Sequence, residues 1–522
     1  MTPSTPGAGA PPAPRLIEVI EVRGDGPPTV RMVDLRRLDT RSFHPVPPDA
    51  APARAHGRPA VGEAPPRSRE VTGRAALRAA ESRTDRLARQ VAAALVGAVC
   101  LLIAWHVATK LPQLHWDRLT AFYTVLISTY VLSRFVLAAL YRPPPDAGLE
   151  PSVAVVVPAY NEGSAVATTI HACLALDYPR DKLEIVVVDD GSTDDTWQQM
   201  TAAAAMHPPG AVRCVALGAN RGKRAAMAAG IRATSAEILV FVDSDSVPAP
   251  DGVRRLVQGF ADHRVGAVAG LTYVRNATAN TLTRMQAARY YVSYQLLKAA
   301  ESVVGAVACC SGCFSAYRRV AIVDVLDSWE EQTFLGVQCT HGDDRALTNQ
   351  VLRNRWLAIY DSSAEAWTDA PESYRTFFRQ QLRWKKSWAR EGPILMSHLW
   401  RTRTRAFPFV VVQTVAGLLS PLVLAYNLTQ PFATGVFPAV YLLGLYLVSM
   451  AYGLLYRAQR NDGLWWWAFL GTFFYIAFSP QLWWAVVRIR DGRWGTRDPG
   501  TAAPALATSP RTAGRQRQVR DA

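Results

Sequence analysis

The sequence predicts an α/β domain inserted between N- and C-terminal transmembrane helices, and three observations carry that prediction. Uncharged runs of membrane-span length stand toward both ends of the chain. Strand and helix patterns alternate in the polar stretch between them, and acidic residues repeatedly follow the C-terminal ends of its apolar strands. The composition is compatible: 522 residues, 49% hydrophobic and 19% charged, leave room for a large folded core and several spans. The net charge of +15 is concentrated in the tails and beside the apolar runs, where arginine would face anionic lipid headgroups on the cytoplasmic side. A basic stripe interleaved with aromatics is missing outside those flanks, so nucleic acid is not an expected partner. The seven cysteines are an odd number without paired metal-ligand spacing, which points to reduced cytosolic thiols.

Residues 1–85 are rich in Pro, Ala and Arg and cannot bury enough apolar area to offset ordering, so most of this head is expected to be disordered. The alternation from Leu16 to Val22, a Gly24-Asp25-Gly26 turn and the alternation from Thr29 to Val33 predict one small hairpin within it. No secretory signal is expected, since the first apolar run lies far from Met1.

Two transmembrane helices are expected in 86–142. Gln90–Thr109 is uncharged, and Leu119–Tyr141 is interrupted only by Arg134, which is expected to snorkel toward the headgroups. Two spans after a basic head return the chain to the cytosol, so the segment 150–375 and the amphipathic stretch 376–405 are expected there. The C-terminal membrane region, 406–490, contains the runs Phe407–Tyr426, Phe432–Tyr456 and Leu464–Val487. Pro480 breaks the last one into two short helices or a re-entrant hairpin. The arginine-rich tail 491–522 is then expected in the cytosol. A multi-pass protein of the cell membrane, with the lipid bilayer as a partner, follows.

Chemistry enters through four short motifs in one order: Val188-Asp189-Asp190-Gly191-Ser192, Asp243-Ser244-Asp245, Gly342-Asp343-Asp344-Arg345 and Gln380-Gln381-Leu382-Arg383-Trp384. The run Val153–Pro158, Leu183–Val188 before Asp189 and Glu237–Val242 before Asp243 read as buried strands, and an open α/β sheet binds ligands beyond such strand ends. A Rossmann dinucleotide site is excluded, because no Gly-x-Gly-x-x-Gly follows the first strand. Asp243 and Asp245 can hold Mg²⁺ or Mn²⁺ together with the diphosphate of a donor, as hard cations take one or two carboxylates plus phosphate oxygens. Asn220-Arg221-Gly222-Lys223-Arg224 supplies cations suited to phosphate. Transfer also needs a base for an acceptor hydroxyl, and Asp344, separate from the metal pair, is the candidate. Gln380, Arg383 and Trp384 lie at helical spacing, so Trp384 could stack on an acceptor sugar while Arg383 faces the diphosphate.

The ordering of these motifs resembles the processive family-2 glycosyltransferases, the group of cellulose, chitin and hyaluronan synthases, over about residues 90–500, and is most similar to class I hyaluronan synthases. Further stretches carry the likeness: Ser311–Arg319, Gln332–Gly336, Gly342–Asn349, Gln380–Glu391 and Trp494-Gly495-Thr496-Arg497. The resemblance implies a GT-A-type cytosolic catalytic domain that polymerises sugars from UDP donors and exports the growing polysaccharide. By the same resemblance Asp189 and Asp190 contact the uridine, and Lys223 and Arg224 lie near the diphosphate. It further implies Asp243 and Arg383 at the donor and Asp245 on the metal. Asp344 becomes the base, Trp384 with Gln380 the acceptor site, and Trp494 and Arg497 a C-terminal gate. Hyaluronan made from UDP-N-acetylglucosamine and UDP-glucuronate is the implied product, with a chitin-like polymer from the first donor alone as one alternative and an inactive membrane scaffold or polysaccharide-export component, which loss of an acidic motif would have favoured, as the other. Two departures stand out. Cys313 occupies a position where the family usually has Pro, and Asp343 one where chitin-oligomer synthases carry Glu.

Overall fold

The computed structural model describes residues 16–21, 29–34, 83–110, 117–208 and 210–492. Much of the head and of the tail, with Trp494 and Arg497, lies outside the described residues. The strands are β1 (Leu16–Glu21), β2 (Thr29–Asp34), β3 (Val153–Ala159), β4 (Leu183–Asp189), β5 (Val212–Ala216), β6 (Ile238–Phe241), β7 (Val247–Pro248), β8 (Val265–Val274), β9 (Ser315–Arg318), β10 (Thr333–Phe334), β11 (Val337–Gln338) and β12 (Leu357–Thr368). Ten form one mixed sheet in the order β2-β1-β5-β4-β3-β6-β9-β8-β12-β7, while β10 and β11 make a separate hairpin.

The centre of the sheet, β5-β4-β3-β6, is parallel. Its strands read as unbroken apolar runs because helices cover both faces. The period of two sorts β3 between two cores: Ala154 and Val156 pack on one face with Leu239 and Phe241, and Val153, Val155 and Val157 on the other with Ile185 and Val187. β9 then runs antiparallel to both β6 and β8, and this reversal separates a first half ending at Asp243 from a second half ending in β12. At the far edge β1 and β2 pair as the hairpin that their alternation predicts. β1 adds antiparallel to β5, with Glu18 opposite Ala216, so the head extends the catalytic sheet.

Four helices among the described residues are long and apolar enough to cross a membrane: Arg86–Thr109, Arg118–Leu140, Phe407–Thr434 and Ala439–Gln459. They flank the sheet domain in sequence on both sides. The fifth apolar run is broken, as Pro480 predicts, into Trp465–Ala477 and Gln481–Val487 with a bend of 44°. One expectation is corrected. Arg134 does not snorkel: only 1% of it is exposed, and Nη2 donates to the carbonyl of Phe409 (3.4 Å) and to Gln413 Oε1 (3.2 Å). The helix Phe407–Thr434 offers polar acceptors inside the bundle, a cheaper environment for a guanidinium than hydrocarbon.

Between the sheet and the apolar helices runs the 29-residue helix Tyr374–Thr402, amphipathic and broken in pattern only by Pro393. It packs against Gln481–Val487, against the helix Asp343–Arg353 and against Phe407–Thr434.

The helix Lys223–Arg232 rests so closely on the sheet that a β-carbon on Gly230 would meet Val156 Cγ1 at 2.4 Å. Gly230→Ala gains about 1 kcal/mol of helix propensity, but overpacking against a fully buried strand costs about 1–3 kcal/mol. The variant should therefore melt lower than wild type in detergent, and an equal or higher melting temperature would contradict the packing argument.

Candidate active site

The first acidic motif closes β4. Asp189 accepts from the backbone N–H of Ser192 (3.2 Å), which forms the turn. The Asp190 carboxylate accepts the N–H groups of Arg221 and Gly222, both at 2.8 Å, and so fixes the loop that launches the helix Lys223–Arg232. Burial pushes the Asp190 carboxyl up to about 7, against the pull of those two N–H donors.

Asp243 stands just beyond β6 and takes the Lys223 ammonium at 2.5 Å. The same nitrogen lies 3.6 Å from Asp343. Burial works to neutralise Lys223, but Asp243 and Asp343 outweigh it and hold the ammonium charged. Asp343 is buried as well, and Lys223 and Arg224 keep it ionised despite that burial. Asp245, two residues on, accepts from Thr368 Oγ1 at the end of β12 (3.3 Å). Asp245 is exposed at the surface of the site, and the surrounding protein, then the charges of Asp243 and Glu162, raise its carboxyl above the usual carboxylate range.

Asp344 follows Gly342, which has φ +77°, at the start of the helix Asp343–Arg353. Its Oδ1 accepts the Arg345 N–H (2.7 Å) and its Oδ2 the Cys309 thiol (3.2 Å). Gln380, Arg383 and Trp384 share one face of the interface helix, as the i, i+3, i+4 spacing requires. Arg383 faces Asp343 closely enough to favour its ionised form. Trp384 is 41% exposed, with its ring 6.1 Å from that of Tyr290. Gln380 Oε1 is buried without a partner.

The structure thus brings Lys223, Asp243, Asp343 and Arg383 together, with Asp245 beside Asp243 in the chain. Arg224 turns elsewhere: its guanidinium donates to the Trp329 carbonyl and to Gln332 Oε1, both at 2.8 Å, and lies 5.5 Å over the Trp329 ring. Trp494 and Arg497 fall outside the described residues.

Three participants escaped sequence reasoning. Glu162 receives the Ser244 hydroxyl (2.8 Å) and adds negative charge at Asp245; its place two residues past Tyr160, after the first strand, is the signal that was available. Tyr290 comes from the segment between β8 and β9 without any local signal, and Cys309 lies in the Cys309-Cys310 pair, which resembles the chitin-oligomer synthases but gives the thiol no role.

Residues 154–326 match the model of glycosyl transferase family 2. A hyaluronan synthase of Streptococcus pyogenes is 30% identical over 387 residues, spanning 72% of this chain and 90% of the relative. The chain belongs to the family-2 glycosyltransferases. An N-acetylglucosaminyltransferase of Azorhizobium caulinodans is 30% identical over 398 residues (73% of this chain, 97% of the relative), and one of Mesorhizobium japonicum is 34% identical over 299 residues (56% and 69%). Among solved structures, a mannosyltransferase from Pyrobaculum calidifontis in complex with GDP-Man and Mn²⁺ superposes with a TM-score of 0.52 at 24% identity, covering 71% of this chain and 98% of the other. That likeness establishes a GT-A fold for this glycosyltransferase, flanked by its apolar helices.

In this glycosyltransferase Gly342 joins the Asp344 helix to the interface helix. A β-carbon there would meet Ser387 Oγ at 2.1 Å and Arg390 Nη2 at 2.9 Å, in a backbone conformation that L side chains rarely adopt. Gly342→Ala should lose most activity and melt lower, the backbone term alone costing about 1–3 kcal/mol. Adding Ser387→Gly removes one clash but not the positive φ, so it should restore activity only in part. Full activity in the single variant would show that the two helices are not coupled through this contact.

Proposed function

We propose that this chain is a processive, inverting glycosyltransferase that builds hyaluronan from UDP-N-acetylglucosamine and UDP-glucuronate and passes the polymer through its own membrane helices. The donor site would face the cytosol of a cell-membrane protein. The observation that carries the proposal is the similarity to the streptococcal hyaluronan synthase, which runs through 90% of that relative and so reaches beyond the sheet into the membrane helices. A chitin-like polymer from UDP-N-acetylglucosamine alone is the second reading, favoured by the 34% identity to the rhizobial N-acetylglucosaminyltransferase.

In this reading Asp189 and Asp190 receive the uridine and Lys223 the diphosphate. Arg383 lies on the same side as Asp343 and Lys223, while Arg224 supports the wall through Trp329. Trp384, half exposed beside Tyr290, offers an aromatic face to the acceptor terminus, with Gln380 one turn before it. Asp344 takes the proton of the acceptor hydroxyl as its oxygen attacks the anomeric carbon; the bond to UDP breaks on the opposite face, which inverts the configuration. Holding the polymer at Trp384 between additions makes each attack effectively intramolecular.

A divalent cation fits the chemistry of the donor set. Asp243 and Asp245 are two carboxylates with one residue between them, and Glu162, which accepts the Ser244 hydroxyl, adds negative charge at Asp245. Asp243 and Asp245 would hold Mg²⁺ or Mn²⁺, and the ion would supply charge neutralisation at the departing diphosphate.

Three outcomes are expected. Purified protein with Mn²⁺ should make high-mass, hyaluronidase-sensitive product only when both donors are supplied; polymer from UDP-N-acetylglucosamine alone would establish the second reading. Asp344→Asn should cut turnover by about 10²–10⁴-fold while leaving UDP affinity unchanged, and activity near wild type would remove Asp344 from the role of base. Because a proton competes with the cation at Asp245, whose carboxyl is raised, the Mn²⁺ concentration for half-maximal rate should rise as pH falls through the acidic range. A profile that stays flat on acidification would place the metal elsewhere.

A further inference from the structure

We propose that Cys309 is a positioning residue for Asp344: its thiol donates to one carboxylate oxygen and sets the orientation in which the other faces the acceptor hydroxyl. The proposal rests on the reading of Asp344 as the base. Two donors meet the Asp344 carboxylate, the Arg345 N–H on Oδ1 at 2.7 Å and the Cys309 Sγ on Oδ2 at 3.2 Å. Each oxygen keeps a free lone pair, which is what a base needs. Burial and the Asp344 charge keep the thiol protonated, so it acts as a donor and not as a thiolate.

The thiol is itself held from two sides. The Cys309 carbonyl accepts the Lys298 ammonium, and the next N–H, that of Cys310, donates to Thr348 Oγ1 (3.0 Å). Thr348 Oγ1 in turn donates to the Asp344 carbonyl (2.7 Å), so the Cys309-Cys310 segment is fastened to the Asp344 helix at two points one turn apart. Lys298 ends a π-helix, Ser293–Lys298, with its ammonium 5.1 Å from the centre of the Tyr294 ring. Single π-turns are rare and concentrate at functional sites. This segment and the helix after it, Ala299–Val303, pack on the spanning helix Arg118–Leu140. A continuous path of contacts therefore runs from a membrane helix through Lys298 and Cys309 to Asp344.

The Cys309–Asp344 contact is a hydrogen bond that a hydroxyl can also make, and rescue by the conservative variant is a readout that simple loss of packing would not give. Full-length wild type, Cys309→Ala, Cys309→Ser and Asp344→Asn are purified in detergent, and initial UDP release is measured against donor concentration. Cys309→Ala should lower kcat about tenfold or more and leave the donor KM within about twofold. Cys309→Ser, which keeps a donor, should return kcat to within about threefold of wild type. Wild-type kcat in Cys309→Ala would overturn the proposal, as would an equal loss in both cysteine variants with a raised KM. If Cys309→Ala does not fold, Cys309→Ser decides: near-wild-type kcat supports the role, and a tenfold loss at an unchanged melting temperature overturns it. Asp344→Asn separates the two layers. Turnover surviving there overturns the base reading itself, whereas its loss beside an unaffected Cys309→Ala overturns the positioning alone.

Discussion

The ammonium of Lys223 is the point on which the site depends. It sits 2.5 Å from Asp243 at the end of the first half of the sheet and 3.6 Å from Asp343 at the start of the Asp344 helix, which belongs to the second half. An acidic cluster of this kind would otherwise repel itself apart or take up protons. Lys223 keeps Asp343 charged, holds Asp243 close to it, and binds the two halves in the process. Lys223 and Asp243 are half-buried and Asp343 is buried, so removing the ammonium would leave the Asp343 charge uncompensated inside the protein.

The second constraint is the closeness of the interface helix to the Asp344 helix. Gly342 admits Ser387 and Arg390 to the turn, Arg390 donates to the His341 carbonyl, and Glu391 receives Gln332 (3.1 Å) and Asn349 (2.9 Å). The same interface helix reaches the broken apolar run, where Lys385 bonds Gln481 (3.1 Å), and Lys386 donates to the Asp491 carbonyl (2.9 Å). Sheet chemistry and membrane helices are thereby one packed unit. A displacement of the interface helix would be felt at Asp343 and Asp344 without passing through a flexible joint.

How much could be read in advance varied with the range of the interaction. Strands ending at Asp189 and Asp243 were legible because burial on both faces demands unbroken apolar runs, a local property. The break at Pro480 was equally local, since proline cannot donate within a helix. The fate of Arg134 was not: whether it reaches the headgroups or turns inward depends on the carbonyl of Phe409 and on Gln413, more than 270 positions away. Arg224 diverges from its neighbour Lys223 for the same kind of reason, because Trp329 and Gln332 fold over it. The Cys309-Cys310 pair announces no role for its first thiol, and the meeting of Cys309 with Asp344 exists only once two chain segments pack.

By itself the sequence determined the class of the fold, the order of sheet and membrane elements, and the residue types from which the site is made. Periodicity, turn chemistry and span length act over a few residues, and the chain declares them directly. The tertiary structure alone decided which of those residues share a site: that Lys223 serves Asp243 and Asp343 together, that Glu162 charges the surroundings of Asp245, and that a thiol faces Asp344. Ion pairing and hydrogen bonding between distant segments depend on ångström-scale closure of the whole domain, and no local pattern encodes that distance.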